Sequence, residues 1–206
     1  MTFPESQYTS ILSYADDYFD KVARAVRSLD CAALDRAAEI LRETYLADRA
    51  VFACGNGGSA SISNHLACDH LKGIQTDTDI KPRATSLSSN IELISAIAND
   101  ICYEDVFVYQ LGTLAKPGDC LMTISSSGDS ENVIRALKWA AENGLSTIAL
   151  TGFTGGRSSE LADIHLHVEG DNYGVVEDAH QSIMHILAQY LRQQHMQVEQ
   201  IGNRKF

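Results

Sequence analysis

Between Val51 and Ser61 a short apolar run, Val51-Phe52-Ala53-Cys54, breaks into Gly55-Asn56-Gly57-Gly58 and then into Ser59 and residues that can carry a helix. An apolar run of this length with helix-like flanks reads as a buried parallel strand. The glycines admit positive φ at little cost, and Ser59 is expected to cap the helix that follows. Strand, glycine turn and helix N-terminus together make an anion site, because free backbone N–H groups point outward and the helix dipole favours negative charge. The same residues also suit an ordinary tight turn. They match neither a dinucleotide fingerprint nor a Walker loop, so no nucleotide follows from them.

In the helix beyond the loop, His65 and Asp69 stand four apart, on one face with Ile62 and Leu66. A histidine and a carboxylate there suit a metal, proton transfer, or merely a local hydrogen bond.

The rest of the chain repeats the strand-to-helix rhythm. Residues 5–47 read as two helices broken at 28–30, the first with a stripe of Tyr8, Leu12, Ala15, Phe19, Val22, Val26 and Leu29. Strands are expected at 83–87, 120–124, 146–150 and 164–168, with helices at about 88–99, 103–114, 131–142 and 176–195. Such alternation means an α/β protein with a doubly wound, five-stranded parallel sheet, whose ligands bind at the carboxyl ends of the strands. The expected organisation is one domain over 1–206, with 1–47 an N-terminal helical extension used in oligomerisation.

Charge and composition exclude several function classes. A net charge of −11 argues against a nucleic-acid surface and an anionic membrane patch. No apolar run approaches the ~20 residues of a membrane span. The N-terminus has neither a basic nor an apolar leader region, so the expected location is cytoplasmic. Cys31, Cys54, Cys68, Cys102 and Cys120 are scattered and odd in number, and read as reduced core residues.

A second loop follows the third strand: Ser125-Ser126-Ser127-Gly128-Asp129-Ser130, directly before a helix. It suits either a serine-rich cap or a second anion site. Two such loops at carboxyl strand ends favour a phosphorylated ligand. Asn99 and Asp100 suit sugar hydroxyls or a helix end. In the last helix, Glu177 and His185 fall well off the apolar stripe, so they face solvent, a cleft or another subunit. His165 and His167 share one side of the fifth strand and read as structural.

Gly55-Asn-Gly-Gly-Ser59, His65-x-x-x-Asp69, Ala98-Asn-Asp100, Ile124 to Ser130, Leu150-Thr-Gly-x-x-Gly-Gly156 and Glu177-Asp-x-His180-x-x-x-x-His185 occur in that order. Over about residues 30–192 this combination resembles the sugar isomerase (SIS) family, and within it the phosphoheptose isomerases. The resemblance implies interconversion of sedoheptulose 7-phosphate and glycero-manno-heptose 7-phosphate, feeding lipopolysaccharide or capsule precursors. It also implies a homotetramer with active sites between subunits. By position, Asn56, Gly57, Gly58 and Ser59 match the substrate loop, Ser125, Ser126, Ser127 and Ser130 the phosphate loop, and Asn99 and Asp100 the sugar contacts. His65, Asp69, Glu177 and His185 match the zinc and acid–base positions, with Asp69 and Glu177 also near substrate. Asp69 is then the candidate base and His185 its complement. Two positions depart from the family pattern, which has glutamate where Asp69 stands and glutamine where Glu177 stands. Two other readings remain: an SIS isomerase of a different sugar phosphate, such as a pentose phosphate, and a non-catalytic SIS module resembling the protein that assists the replication initiator. The complete His/carboxylate set disfavours the second.

Overall fold

The computed structural model describes residues 3–206; Met1 and Thr2, the first residues of the expected domain, lie outside the described residues. Two capped helices come first, α1 (Ile11–Arg27) and α2 (Cys31–Leu46). The Ser10 hydroxyl accepts the Leu12 N–H and the Asp30 carboxylate accepts the Ala32 N–H, each filling an otherwise open donor of a first turn. There follow β1 (Ala50–Cys54), α3 (Gly58–Cys68), β2 (Arg83–Ser86), α4 (Ile91–Asp100), α5 (Val108–Leu114), β3 (Cys120–Ser125) and α6 (Glu131–Glu142). The chain closes with β4 (Ser146–Thr151), α7 (Ser158–Leu161), β5 (Ile164–His167), α8 (Tyr173–His195) and α9 (Val198–Ile201).

The strands pair in parallel in the order β2-β1-β3-β4-β5. This is the α/β doubly wound sheet expected from the sequence. Period-two alternation sends Val51, Ala53, Met122, Ile124, Ile148 and Leu150 into one core with α1, α2, α3 and α8, and Phe52, Cys54 and Leu121 into the other with α4, α5 and α6. The strands are therefore covered on both faces, which explains why they read as unbroken apolar runs. The order also fixes the site. The chain leaves β1 toward β2 on one side, and β3 lies on the other, so the sheet reverses its winding between β1 and β3 and leaves a crevice at their carboxyl ends.

Several boundaries differ from the sequence reading. The cap of α3 is Gly57, at φ +55°, rather than Ser59. Ser59 lies buried inside the first turn, where its carbonyl accepts the Ser63 hydroxyl. Helix α8 begins at Tyr173 rather than Val176, because Asn172 accepts the Val175 N–H at 3.0 Å and starts it early. Helix α9 was not anticipated. Leu12 and Phe19 are 74% and 68% exposed, while Tyr14, Tyr18, Val22 and Ala25 turn inward. The inward face is set by docking on α8, where Tyr18 donates to Asp178 at 2.7 Å. The five cysteines are free as expected, but only Cys54 and Cys120 are buried; Cys31 and Cys68 are exposed and Cys102 is intermediate. Among the described residues no helix is long and apolar enough to cross a membrane.

One buried carboxylate ties the sheet at its amino-terminal edge. Asp119 accepts the Ala50 N–H at 2.9 Å and the Lys116 N–H at 2.7 Å, joining the start of β1 to the turn before β3. Hydrogen bonds to a charged group are worth roughly 1.5–3 kcal/mol each in such a place. Asp119→Ala leaves both donors without a partner. It is expected to lower unfolding stability by about 3 kcal/mol, read as a lower urea midpoint at unchanged slope. A midpoint equal to wild type would show that water replaces the carboxylate.

Candidate functional site

The loops after β1 and β3 meet across the crevice. At Gly55 a Cβ would lie 2.6 Å from the Ile124 carbonyl oxygen, so only glycine lets the two backbones come this close. Their side chains then lock. Asn56 and Asn132, the latter in the first turn of α6, exchange two amide hydrogen bonds of 2.9 and 3.0 Å. Tyr103, in a single 3₁₀ turn after α4, donates to the Asn56 side-chain oxygen Oδ1 at 2.8 Å. Ser88 both accepts from the Gly55 N–H and donates to the Gly55 carbonyl. Tyr103, Ser88 and Asn132 were not singled out in the sequence. The sign they left was small: polar residues at the first turns and ends of helices that border the crevice.

The 125–130 loop is a rigid platform. Ser125 accepts the Gly128 N–H, Ser127 accepts the Asp129 N–H, and the Ser126 carbonyl accepts the Gly152 N–H. Gly128 sits at φ +66° against the backbone of Gly155, and its carbonyl oxygen accepts the Ser158 N–H. Ser126 is buried with a hydroxyl that has no partner, and Ser130 begins α6 without a side-chain cap bond. Asn99 and Asp100 are exposed at the end of α4, joined to each other at 2.7 Å. The loop's nearby cations are already paired. Arg157 bonds Asp129 and also Glu131, at 2.9 Å to the latter, and Arg135 holds Glu131 and Asp105 at 3.2 and 2.8 Å.

A second group forms where α3 meets α8. Asp69 lies 3.3 Å from His65 Nε2 and 3.5 Å from His185 Nε2, one carboxylate oxygen to each ring. Gln181, one turn before His185, places its amide nitrogen 3.0 Å from His65 Nδ1 and 3.1 Å from His185 Nε2. The two imidazoles cross edge-to-face with centroids 5.0 Å apart. One ligand atom from each of His65, Asp69 and His185 lies within 4.8 Å of the others. This group, with Lys72 and Gly73, lines a cleft of about 290 Å³. A larger cleft of about 460 Å³, between α1 and the link from β5 to α8, holds none of the predicted site residues.

Asp69 ends α3 in regular helical geometry, its N–H still bonded to the His65 carbonyl, and an irregular turn follows it. Helix α3 widens at its end into a π-helical segment, Asp69–Ile74, which rotates the following residues relative to α3. His70 is thereby driven into the core, where its Nδ1 bonds the Tyr45 hydroxyl of α2. Burial pushes the His70 ring down to about 3, so it is neutral and serves as an anchor. His180 is also buried, and burial lowers it to about 4. His165 and His167 bond the Thr151 hydroxyl at 2.6 and 3.0 Å, in keeping with the structural role read from the sequence.

Glu177 stands apart from the His65, Asp69 and His185 group in which the sequence placed it. It lies two turns before His185 on α8, and its carboxylate covers Gly58, where a Cβ would collide with it. Gln181 takes the intervening place between the two histidines.

Comparison with known proteins bears on the family and the fold. A family model described as SIS domain matches residues 16–152. The phosphoheptose isomerase of Synechocystis sp. is 30% identical over 189 residues, covering 92% of this chain and 97% of that protein. That of Nitratidesulfovibrio vulgaris is 37% identical over 158 residues, covering 75% of this chain and 76% of that protein. The solved phosphoheptose isomerase from Neisseria gonorrhoeae superposes with a TM-score of 0.80 at 29% identity, over 88% of this chain and 98% of that one.

Burial first, and the neighbouring Asp178 second, raise the Glu177 carboxyl above its ordinary value. A carboxyl with a folded value above its unfolded one takes up a proton on folding, so its contribution to stability falls as pH rises from the unfolded value through the folded value. At neutral pH its charge is a small cost. Glu177→Gln is expected to raise Tm by about 1–2 °C at pH 7.5 and to leave it unchanged at pH 3.5, where the wild-type group is protonated. A lower Tm at pH 7.5, by calorimetry, would show that the carboxylate is stabilised at the start of α3.

Proposed function

The chain belongs to the SIS domain family, among the phosphoheptose isomerases, and we propose that it interconverts sedoheptulose 7-phosphate and D-glycero-D-manno-heptose 7-phosphate, an aldose–ketose isomerisation. The observation that carries this reading is the convergence of His65, Asp69 and His185 from two helices beside a doubly wound crevice with two anion-type loops.

The reaction moves one proton between adjacent carbons and one between their oxygens. Asp69 is the base that takes the proton from C1 of the ketose, and His185 delivers a proton to the carbonyl oxygen at C2, leaving an enediol. Return of the first proton to C2, with loss of the O1 proton, completes the aldose. Backbone amides and hydroxyls of Ser125, Ser126, Ser127 and Ser130 hold the phosphate. Asn56, Gly57, Gly58 and Ser59, with Asn99, Asp100 and Glu177, border the sugar; Ser59 acts through the turn, since its side chain is buried. Two imidazoles and a carboxylate within 4.8 Å are a donor set that suits zinc. His65, Asp69 and His185 would hold it, and zinc bound there would supply Lewis-acid polarisation of a carbonyl oxygen.

The assembly proposed with this activity is a homotetramer with sites between subunits, built partly on residues 1–47, and a cytoplasmic location goes with a heptose precursor for lipopolysaccharide or capsule. The support is the apolar surface of one protomer: Ile11, Leu12 and Phe19 on α1, and Ile186 and Tyr190 on α8, are all exposed.

In deuterated water, wild type is expected to incorporate solvent deuterium at the exchanging carbon of sedoheptulose 7-phosphate, followed by NMR. Asp69→Asn should lower kcat by about 100-fold or more, as loss of a general base does. Ser127→Ala should raise KM by roughly tenfold to a hundredfold, the worth of one hydrogen bond to a charged group. Wild type that neither converts nor labels the sugar would refute the activity. Light scattering on the purified protein is expected to give the mass of four chains, and the mass of a single chain at micromolar concentration would refute the assembly.

A further inference from the structure

The cleft that holds His65, Asp69 and His185 has a wall that neither helix supplies. Residues 202–206 fold back against α8, and Phe206 lines the cleft together with Lys72, Gln189 and Arg192. The ring is held in place by an unusual anchor. Arg192 is 5% exposed, deep for a guanidinium, and every direction of its planar fork is used. Its Nε donates to the Thr76 carbonyl, Nη1 to the Lys205 carbonyl and Nη2 to Asp77, each at 3.0 Å. Its guanidinium carbon stands 4.7 Å from the centroid of the Phe206 ring, a cation–π contact. Arg204 adds a second tie to Asp77 at 3.3 Å. One buried cation therefore fixes α8, the turn at 76–77 and the 202–206 segment as a unit.

Phe206 itself is 47% exposed, so its ring is poorly used as core. A half-open aromatic beside a few convergent polar groups is the common make-up of a small-molecule site. We propose that Phe206 is a substrate-contacting wall of this site and Arg192 its positioning residue: the ring packs on the C–H face of the phosphorylated sugar next to Asp69 and sets how tightly that sugar is held. This rests on the isomerase reading. The ring takes no part in proton transfer, so its removal weakens binding more than turnover.

The test compares wild type with Phe206→Ala and Phe206→Trp. The alanine variant is expected to raise KM for sedoheptulose 7-phosphate about fivefold, in the range of aromatic packing contacts, with kcat within twofold. The tryptophan variant keeps an aromatic face and should return KM to near the wild-type value. Melting temperatures should agree across all three, which separates a wall from a structural prop. A KM for Phe206→Ala within a factor of 1.5 of wild type, or an equal rise in both variants, overturns the proposal. If wild type shows no turnover, the isomerase reading fails by itself, and the wall is then judged by the rate at which a chelator strips zinc from the loaded protein. That rate should rise at least threefold in Phe206→Ala, and equal rates overturn the wall as well.

Discussion

The approach of Gly55 to the carbonyl of Ile124 is the constraint on which the site depends. Strands β1 and β3 are neighbours in the sheet although β2 lies between them in sequence, so the loops that leave them diverge from one line. With a side chain at 55 the two loops would be forced apart, and the Asn56–Asn132 amide pair would lose its geometry. That pair in turn sets Tyr103, and through the 3₁₀ turn it sets the end of α4, where Asn99 and Asp100 stand. A single small residue thus brings four separate segments to one crevice.

The acid–base group depends on a different device. On a regular helix, the short side chain of Asp69 has to reach two imidazoles on two helices. Asp69 meets His65 by regular i, i+4 spacing, the π-helical turn changes the path of the chain beyond it, and the Tyr45–His70 contact secures that turn from beneath. π-type turns cost hydrogen-bond quality and concentrate at functional sites, which fits a turn placed at the candidate base. Gln181 completes the arrangement, its amide nitrogen within hydrogen-bond distance of one ring nitrogen of each histidine.

The sheet, the helix order and both glycine-containing loops were legible because each rests on local chemistry: apolar runs at strand length, glycine at turns, and helical spacing between them. The pairing of His65 with Asp69 was legible for the same reason, as an i, i+4 spacing. What escaped was whatever depends on how two distant elements meet. The wheel of α8 puts Glu177 and His185 off the apolar stripe, but only the crossing with α3 decides that Gln181 stands between the histidines and Glu177 covers Gly58. The stripe on α1 failed in part for a similar reason. Leu12 and Phe19 obey helical spacing with Val22 and Val26, yet α8 meets the face that carries Tyr14 and Tyr18. His70 carried no sign at all, since nothing in its neighbours announces a π-helical turn.

An acidic protein that holds a doubly charged phosphate needs its positive potential to be local. The net charge of −11 repels such a ligand at long range, although at physiological salt that field is screened within about 8 Å. Near the 125–130 loop the cations do not supply the attraction, because Arg157 and Arg135 are bound to Asp129, Glu131 and Asp105. Those pairs instead lower the three carboxyls below their ordinary values and hold the rim of the loop in one shape. For the proposed phosphate site the remaining source is the backbone at the start of α6, beside the Ser125 hydroxyl held by the Gly128 N–H and the Ser127 hydroxyl held by the Asp129 N–H. Such a site gains little from charge alone and much from pre-set geometry. In the proposed phosphate role, this loop discriminates by the shape of the phosphate and the reach of the sugar behind it, the property a sugar-phosphate isomerase needs there.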